Sequence, residues 1–188
     1  YDFSLPEELI ALRPKSVRSK SKLLVGTNSR VVESTAEKLS DFLKPGDLLV
    51  FNNTKVLPTR LNGIRRARDR LGKDCRVSAT LLNETSKGIW STLIKPKKRV
   101  REGDEIEFFK ENQNNSLKAK VIKHDDFSIL LKFNDAKVNL LKKLSKIGYM
   151  LIPPYVEKKR GLADSDHINY QSIFGVEAGA VAAPTASL

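Results

Sequence analysis

Cysteine, histidine and tryptophan are nearly missing from this chain of 188 residues, which holds one Cys, one Trp and two His. A single thiol, Cys75, cannot close an internal disulfide, and with His124 and His167 it gives too few ligands at suitable spacing for a zinc site. Disulfide staples are excluded, and no metal is expected. Long apolar runs are lacking as well. No stretch approaches the roughly 20 residues a helix needs to cross a bilayer, and the first residues lack a basic-then-apolar signal pattern. The expectation is a cytoplasmic protein that does not enter a membrane. Ser/His/Asp sets, paired carboxylates, glycine-rich phosphate loops and the Gly-x-Gly-x-x-Gly strand turn are also missing, so no catalytic residue is assigned from these signatures.

What the chain does have is positive charge. Its 34 Lys and Arg outnumber 22 Asp and Glu, for a net charge of +12. The excess is concentrated: residues 55–101 carry fourteen basic side chains and three acidic ones. Such a field attracts polyanions and accelerates encounter without specifying sequence, although a merely solvated basic surface has the same composition. A 40% hydrophobic content is enough for a real core.

The pattern along the chain changes twice. Ser4-Leu5-Pro6-Glu7 reads as a capping box opening a helix that ends at Arg13-Pro14. Residues 22–25 and 30–33 read as short strands, 35–43 as a helix broken by Pro45-Gly46, and 47–51 as a buried strand. Six short β-type runs then follow between turn signals, at 55–61, 75–82, 89–94, 105–109, 117–123 and 128–133. Evenly spaced short strands favour a closed barrel, because closure removes exposed edges. Helical spacing returns over 136–147, with Val138, Leu141 and Leu144 on one stripe and Leu140 beside it. Residues 152–155 read as a stiff extended connector and 168–174 as a short helix. The fold class expected is an α/β (α+β) domain formed by both chain ends and interrupted by an inserted six-stranded β-barrel. Its parts are residues 1–58, 59–151 and 152–188.

Three segments carry polar or unusually small groups. The strand over 47–51 ends in Asn52, Asn53 and Thr54 with Lys55 and Arg60 beyond, a set that suits either a bound polar ligand or an Asx or Thr turn satisfying its own backbone. The run Gly179-Ala180-Val181-Ala182-Ala183-Pro184-Thr185-Ala186 leaves room for close backbone approach, or is a frayed tail. Lys95, Lys97, Lys98 and Arg99 sit on a loop between barrel strands, where phosphate contact involves no burial. Trp90, Phe108, Phe109, Phe127 and Phe133 are read first as core and only second as stacking faces. Tyr155 and Tyr170-Gln171 suit substrate contact and structural roles equally.

In order along the chain, residues 2–10, Arg13-Pro14, 21–25, 45–60, 95–103, Pro153-Pro154-Tyr155, Tyr170-Gln171 and 179–186 resemble the signatures of the S-adenosylmethionine:tRNA ribosyltransferase-isomerase family of queuosine biosynthesis. The resemblance covers essentially the whole chain and implies only the amino-terminal half of the family's length. It departs at Asn53, where Asp is usual, at Lys22 and Lys55, where Arg is usual, and at Ser187-Leu188, where Gly-Leu is usual. It implies transfer and isomerisation of the ribosyl moiety of S-adenosylmethionine onto 7-aminomethyl-7-deazaguanine at the tRNA wobble position. S-adenosylmethionine is then a co-substrate, tRNA a partner, and a monomer is expected. By position, Asn52, Asn53, Thr54, Arg60, Tyr155, Tyr170, Gly179, Ala180, Ala183, Pro184 and Thr185 become candidate substrate-binding residues, and Lys95, Lys97, Lys98 and Arg99 candidate tRNA contacts. A non-catalytic basic RNA-binding barrel is the alternative, and a methyltransferase is the least favoured reading because the glycine turn is missing.

Overall fold

The computed structural model describes residues 2–69, 71–135 and 137–184, with backbone alone at 137 and 138. The amino-terminal part is only lightly structured. Glu7–Leu9 form one 3₁₀ turn whose N-cap is Pro6, with no side-chain cap bond, so the capping-box helix is not formed. Strands β1 (Lys22–Gly26) and β2 (Val31–Thr35) pair antiparallel as expected, and the helix expected over 35–43 is 3₁₀ over Ala36–Phe42. Residues 47–51 differ more. They make no strand, and Leu48 and Val50 are 87% and 85% exposed. A run that is apolar on both faces needs cover on both sides; among the described residues its one ring contact is Phe51 on Phe174, with centroids 4.3 Å apart.

Thr54–Val56 form β3, which is not a barrel strand. The single strand expected over 55–61 is therefore two elements, divided at Leu57-Pro58 because proline cannot donate to a ladder. The barrel consists of β4 (Arg60–Arg65), β5 (Cys75–Ser86), β6 (Ile89–Lys95), β7 (Glu105–Phe109), β8 (Ser116–His124) and β9 (Ile129–Phe133), closed in the order β4-β5-β6-β9-β8-β7 with every pair antiparallel. Alternation explains the closure. Leu61, Val77, Ala79, Leu81, Ile94, Ile106, Phe108, Leu117, Val121, Ile129 and Leu131 point inward and are buried, while the residues between them face out. Trp90, Phe108 and Phe133 are core, whereas Phe127 is 90% exposed on a loop. Gly63 is needed where β4 crosses β7, since a Cβ there would lie 2.4 Å from the Glu107 carbonyl oxygen.

In that order β6 and β7 stand opposite one another in the ring, so the segment joining them must cross one barrel mouth. Val100, 2% exposed, plugs that mouth and belongs to the barrel core. Asp104 pins the crossing by accepting from Arg68 Nε at 2.7 Å, Arg68 Nη2 at 2.8 Å and the Arg101 amide at 2.8 Å.

Helix α1 (Lys137–Ile147) then packs on the barrel through Leu140, Leu144 and Ile147, at i, i+4 and i+7. The buried stripe thus runs through Leu140, while Leu141 is only partly covered. At Gly148 a Cβ would come within 2.0 Å of the Pro58 carbonyl oxygen, so the missing side chain lets the chain leave the barrel beside the point where it entered. Arg60 and Tyr149 exchange backbone hydrogen bonds there, at 3.1 and 2.8 Å. Residues 152–155 are not an extended connector throughout: Pro154 opens helix α2 (Pro154–Arg160), as a proline can at N1. Helix α3 (Asp166–Asn169) is shorter and earlier than expected, and β10 (Glu177–Ala180) follows it.

Strand β10 returns to pair parallel with β3, and this joins the two ends of the chain. A second core of Val56, Met150, Ile152 and Val156, with Leu12, Leu162, Tyr170, Ala180 and Ala183 against it, is drawn from segments on both sides of the barrel. Arg160 ties this unit together: it donates to the Leu12 carbonyl at 2.9 Å and, through both terminal nitrogens, to the buried Asp166 at 3.1 and 2.6 Å. The architecture is an α/β unit built from both chain ends with an inserted six-stranded barrel.

Candidate functional site

The pairing of the two ends begins at Asn53. Its carbonyl accepts from the amides of Val176 at 2.7 Å and Glu177 at 3.0 Å, and the Leu57 amide donates to the Ala180 carbonyl at 2.8 Å. Between these anchors Thr54 faces Glu177 and Lys55 faces Ala178, but Val56 faces Ala180, so the register slips and leaves Gly179 unpaired as a bulge. Among the described residues, and apart from its two chain neighbours, no atom lies within 4 Å of where a Gly179 Cβ would be. The crowding that small residues relieve falls instead on Gly175, whose Cβ would meet the Thr54 carbonyl oxygen at 3.2 Å and Lys55 Cα at 3.3 Å. Gly175 holds the strands together, and Gly179 opens a gap beside them.

The sheet extends sideways through one side chain. The Val56 amide donates to Gln171 Oε1 at 2.9 Å, and Gln171 Nε2 donates to the Val56 carbonyl at 2.7 Å, so a primary amide satisfies both backbone groups as a neighbouring strand would. Gln171 is thereby a structural residue. Nothing in the spacing of the sequence separated this role from substrate contact.

The candidate residues divide into those brought together and those not. Asn52 is used locally: its Oδ1 accepts the Thr54 amide at 2.9 Å, which is an Asx turn. Asn53 presents an exposed side chain and Thr54 a half-buried one, and they lie opposite Val176 and Glu177, two residues short of the Gly179 bulge, which falls between Lys55 and Val56. Ala183, Tyr170 and Pro154 share an apolar cleft of about 290 Å³ with Leu151, Ile152 and Ala182. Burial pushes the Tyr170 hydroxyl pKa up, while Arg160 acts in the opposite direction. Pro184 is half-buried, and Thr185 lies outside the described residues. Arg60 is elsewhere, on the first barrel strand, with its guanidinium on Glu157 of α2. Tyr155 is 54% exposed on α2 and does not line the cleft. Arg18, Lys55, His167 and Gln171 line a separate, larger groove of about 720 Å³, and neither Arg18 nor His167 carried a motif that singled it out.

The basic loop occupies the barrel mouth. Lys97 donates to the Asp126 carbonyl and Arg68 reaches the Arg99 carbonyl at 3.0 Å, so the loop backbone is held while Lys98 and Arg99 stay exposed. Among the described residues no cluster of three His, Cys, Asp or Glu side chains is placed to hold a metal ion, and no helix is long and apolar enough to cross a membrane.

A family model described as queuosine biosynthesis protein matches residues 1–188. Among curated relatives, the S-adenosylmethionine:tRNA ribosyltransferase-isomerase of Ruegeria pomeroyi is 40% identical over 189 residues, covering 100% of this chain and 53% of the relative. The protein of the same name from a Caulobacter species is 41% identical over 201 residues, covering 100% and 53%. The chain spans about half the length of the curated relatives it matches. A solved S-adenosylmethionine tRNA ribosyltransferase from Thermotoga maritima is 29% identical, covering 85% of this chain and 54% of that one, with a TM-score of 0.35, too low to bear on the arrangement.

Proposed function

This chain belongs to the queuosine biosynthesis protein family, and on that premise we propose that it supplies half of an S-adenosylmethionine:tRNA ribosyltransferase-isomerase. The reaction transfers the ribosyl part of S-adenosylmethionine onto 7-aminomethyl-7-deazaguanine at the tRNA wobble position, with rearrangement to an epoxycyclopentane and release of adenine and methionine. The sulfonium acidifies the adjacent ribose carbon, so a positioned base can start the rearrangement, and methionine leaves as a neutral thioether.

The observation that supports this reading is the β3–β10 pairing, which brings an amide and a hydroxyl from one end of the chain onto the strand that carries, two residues further along, the open Gly179 bulge of the other end. Asn53 and Thr54 hydrogen-bond polar groups of the substrate there. Gly179 and Ala180 let it approach the backbone, and Ala183, Pro184 and Tyr170 bound the apolar side. Asn52 shapes the turn, and Arg60 with Tyr155 acts through α2 at the rim. Lys95, Lys97, Lys98 and Arg99 contact tRNA phosphates, which adds affinity without reading sequence. The test is adenine release by the full-length protein, given S-adenosylmethionine and tRNA carrying the aminomethyl base or unmodified guanine. Release with the first tRNA alone is expected. Binding of both tRNAs with no adenine would replace the enzyme with a non-catalytic RNA-binding barrel.

A further inference from the structure

The outer wall of the barrel carries a groove that the family reaction does not by itself assign. Its floor is one row of side chains across four strands. Asn62 on β4 faces Ser78 on β5, and Ser78 faces Lys95 on β6. On the other side, one step beyond the Gly63–Phe108 pair, Phe109 of β7 continues the row next to Asn62. Alternation directs all four outward, because Leu61, Gly63, Val77, Ile94 and Phe108 between them are buried. Three interstrand steps of about 4.8 Å make the row roughly 14 Å wide. Arg76 and Glu111 also line it, and the groove's volume is about 500 Å³, within the roughly 300–1,000 Å³ range of small-ligand sites.

Two properties bear on what this groove can hold. Neither Arg76 nor Lys95 forms an ion pair or side-chain hydrogen bond among the described residues, although Arg66, Arg68, Lys110 and Lys123 on the same barrel are paired with carboxylates. Phe109 is also only half-buried, unlike its neighbour Phe108 at 0%, so part of it is open to solvent along this groove. Unpaired cations beside an open aromatic ring and two neutral hydrogen-bonding groups form the chemistry of a single-strand nucleic-acid platform, in which a base stacks while its phosphates are neutralised. The row is continuous with the basic loop, because Lys95 ends β6 and Lys97–Arg99 follow directly.

We propose that this groove binds an unpaired nucleotide segment of the RNA substrate, with Phe109 stacking one base, Asn62, Ser78 and Glu111 meeting its polar edge, and Arg76 and Lys95 neutralising its flanking phosphates. This rests on the tRNA reading above and gives it a second foothold, on the barrel wall beyond the mouth. The test is fluorescence anisotropy of the full-length protein with a labelled anticodon stem-loop RNA across a salt series, with adenine release measured in parallel. Replacing Arg76 and Lys95 together by Ala is expected to weaken binding at least tenfold and to lower the slope of log affinity against log salt by about 1.4, two single-strand contacts at about 0.7 each. Phe109→Ala is expected to weaken it about tenfold with the slope unchanged, and Phe109→Tyr to restore it. Lys118 and Lys120, outward on β8, are the control: replacing both by Ala should change affinity less than about threefold. Equal losses from both pairs, or no loss from Phe109→Ala in a protein with unaltered Trp90 emission, would overturn the groove. Adenine release that persists with wild-type RNA affinity in the groove variants would overturn the groove and leave the enzyme standing. No adenine release from a protein whose RNA binding depends on the groove would do the reverse.

Discussion

Replacing Gln171 by Leu removes, at similar volume, the amide that closes the open side of β3. Both groups it satisfies belong to Val56, which is 2% exposed, and the two bonds are 2.9 and 2.7 Å long. A buried backbone group left without a partner costs about 1–3 kcal/mol, so two would cost about 2–6 kcal/mol. Gln171 is half-buried and some water will enter, which puts the expected loss near the lower end, about 2–3 kcal/mol. The loss should be local. Trp90 is the sole tryptophan and lies in the barrel core, so its emission reports the barrel, whereas amide exchange at Leu57, bonded to the Ala180 carbonyl, reports the joined ends. Gln171→Leu should lower protection at Leu57 by roughly thirtyfold or more, from about 2 kcal/mol at 1.4 kcal/mol per decade, while the Trp90 unfolding transition stays in place. Gln171→Glu keeps the acceptor for the Val56 amide but sets a carboxylate against the Val56 carbonyl, and should fall between. Unchanged protection at Leu57 in Gln171→Leu would refute the claim that this side chain serves as the missing strand.

Three further outcomes follow from the same geometry. Burial pushes the Asp104 carboxyl pKa up, but hydrogen bonds from Arg68 and the Arg101 amide outweigh it and hold the group below its ordinary value. The folded-state pKa is therefore depressed, so this stabilisation is present above the unfolded value near 3.9 and is lost as pH falls through the folded one. Asp104→Asn should lose about 2 kcal/mol at pH 7, with the partial exposure of Arg68 allowed for, and should flatten the acid limb of urea unfolding followed at Trp90. Gly148→Ala should cost about 3 kcal/mol in thermal unfolding, because its Cβ would meet backbone at Pro58 and Leu144 that cannot yield. Gly179→Ala, with no described atom beyond its chain neighbours within 4 Å, should change stability by less than about 1 kcal/mol and act on substrate binding alone.

The barrel was legible because each of its strands carries its own evidence: alternation buries one face of β5 through β9, and turn residues such as Gly103, with φ +88°, separate them. The ends were less so. Residues 47–51 have the composition of a buried strand, yet burial depends on what lies alongside, which local sequence does not contain. The boundary at Leu57-Pro58 is hidden in the sequence for a related reason, since β3 and β4 are both β-type and only their partners differ. At the candidate site the sequence singled out both strands and left two readings of Asn52 and Asn53 open. The structure makes Asn52 an Asx turn and leaves the Asn53 side chain exposed at the start of the strand pairing. Gln171 and Gly175 could not have been ranked from spacing, because their roles arise only when β3 and β10 meet.

The side chain of Asn53 offers the most direct measurement, because the strand pairing uses only its carbonyl and survives truncation. In the full-length protein, Asn53→Ala should leave Leu57 amide protection and RNA affinity unchanged and lower kcat/KM for adenine release by about tenfold or more, the loss of a hydrogen bond worth about 1.5 kcal/mol to a polar or charged substrate group. Turnover at the wild-type rate by that variant would contradict the account, and the joined strand edge would then be scaffold alone.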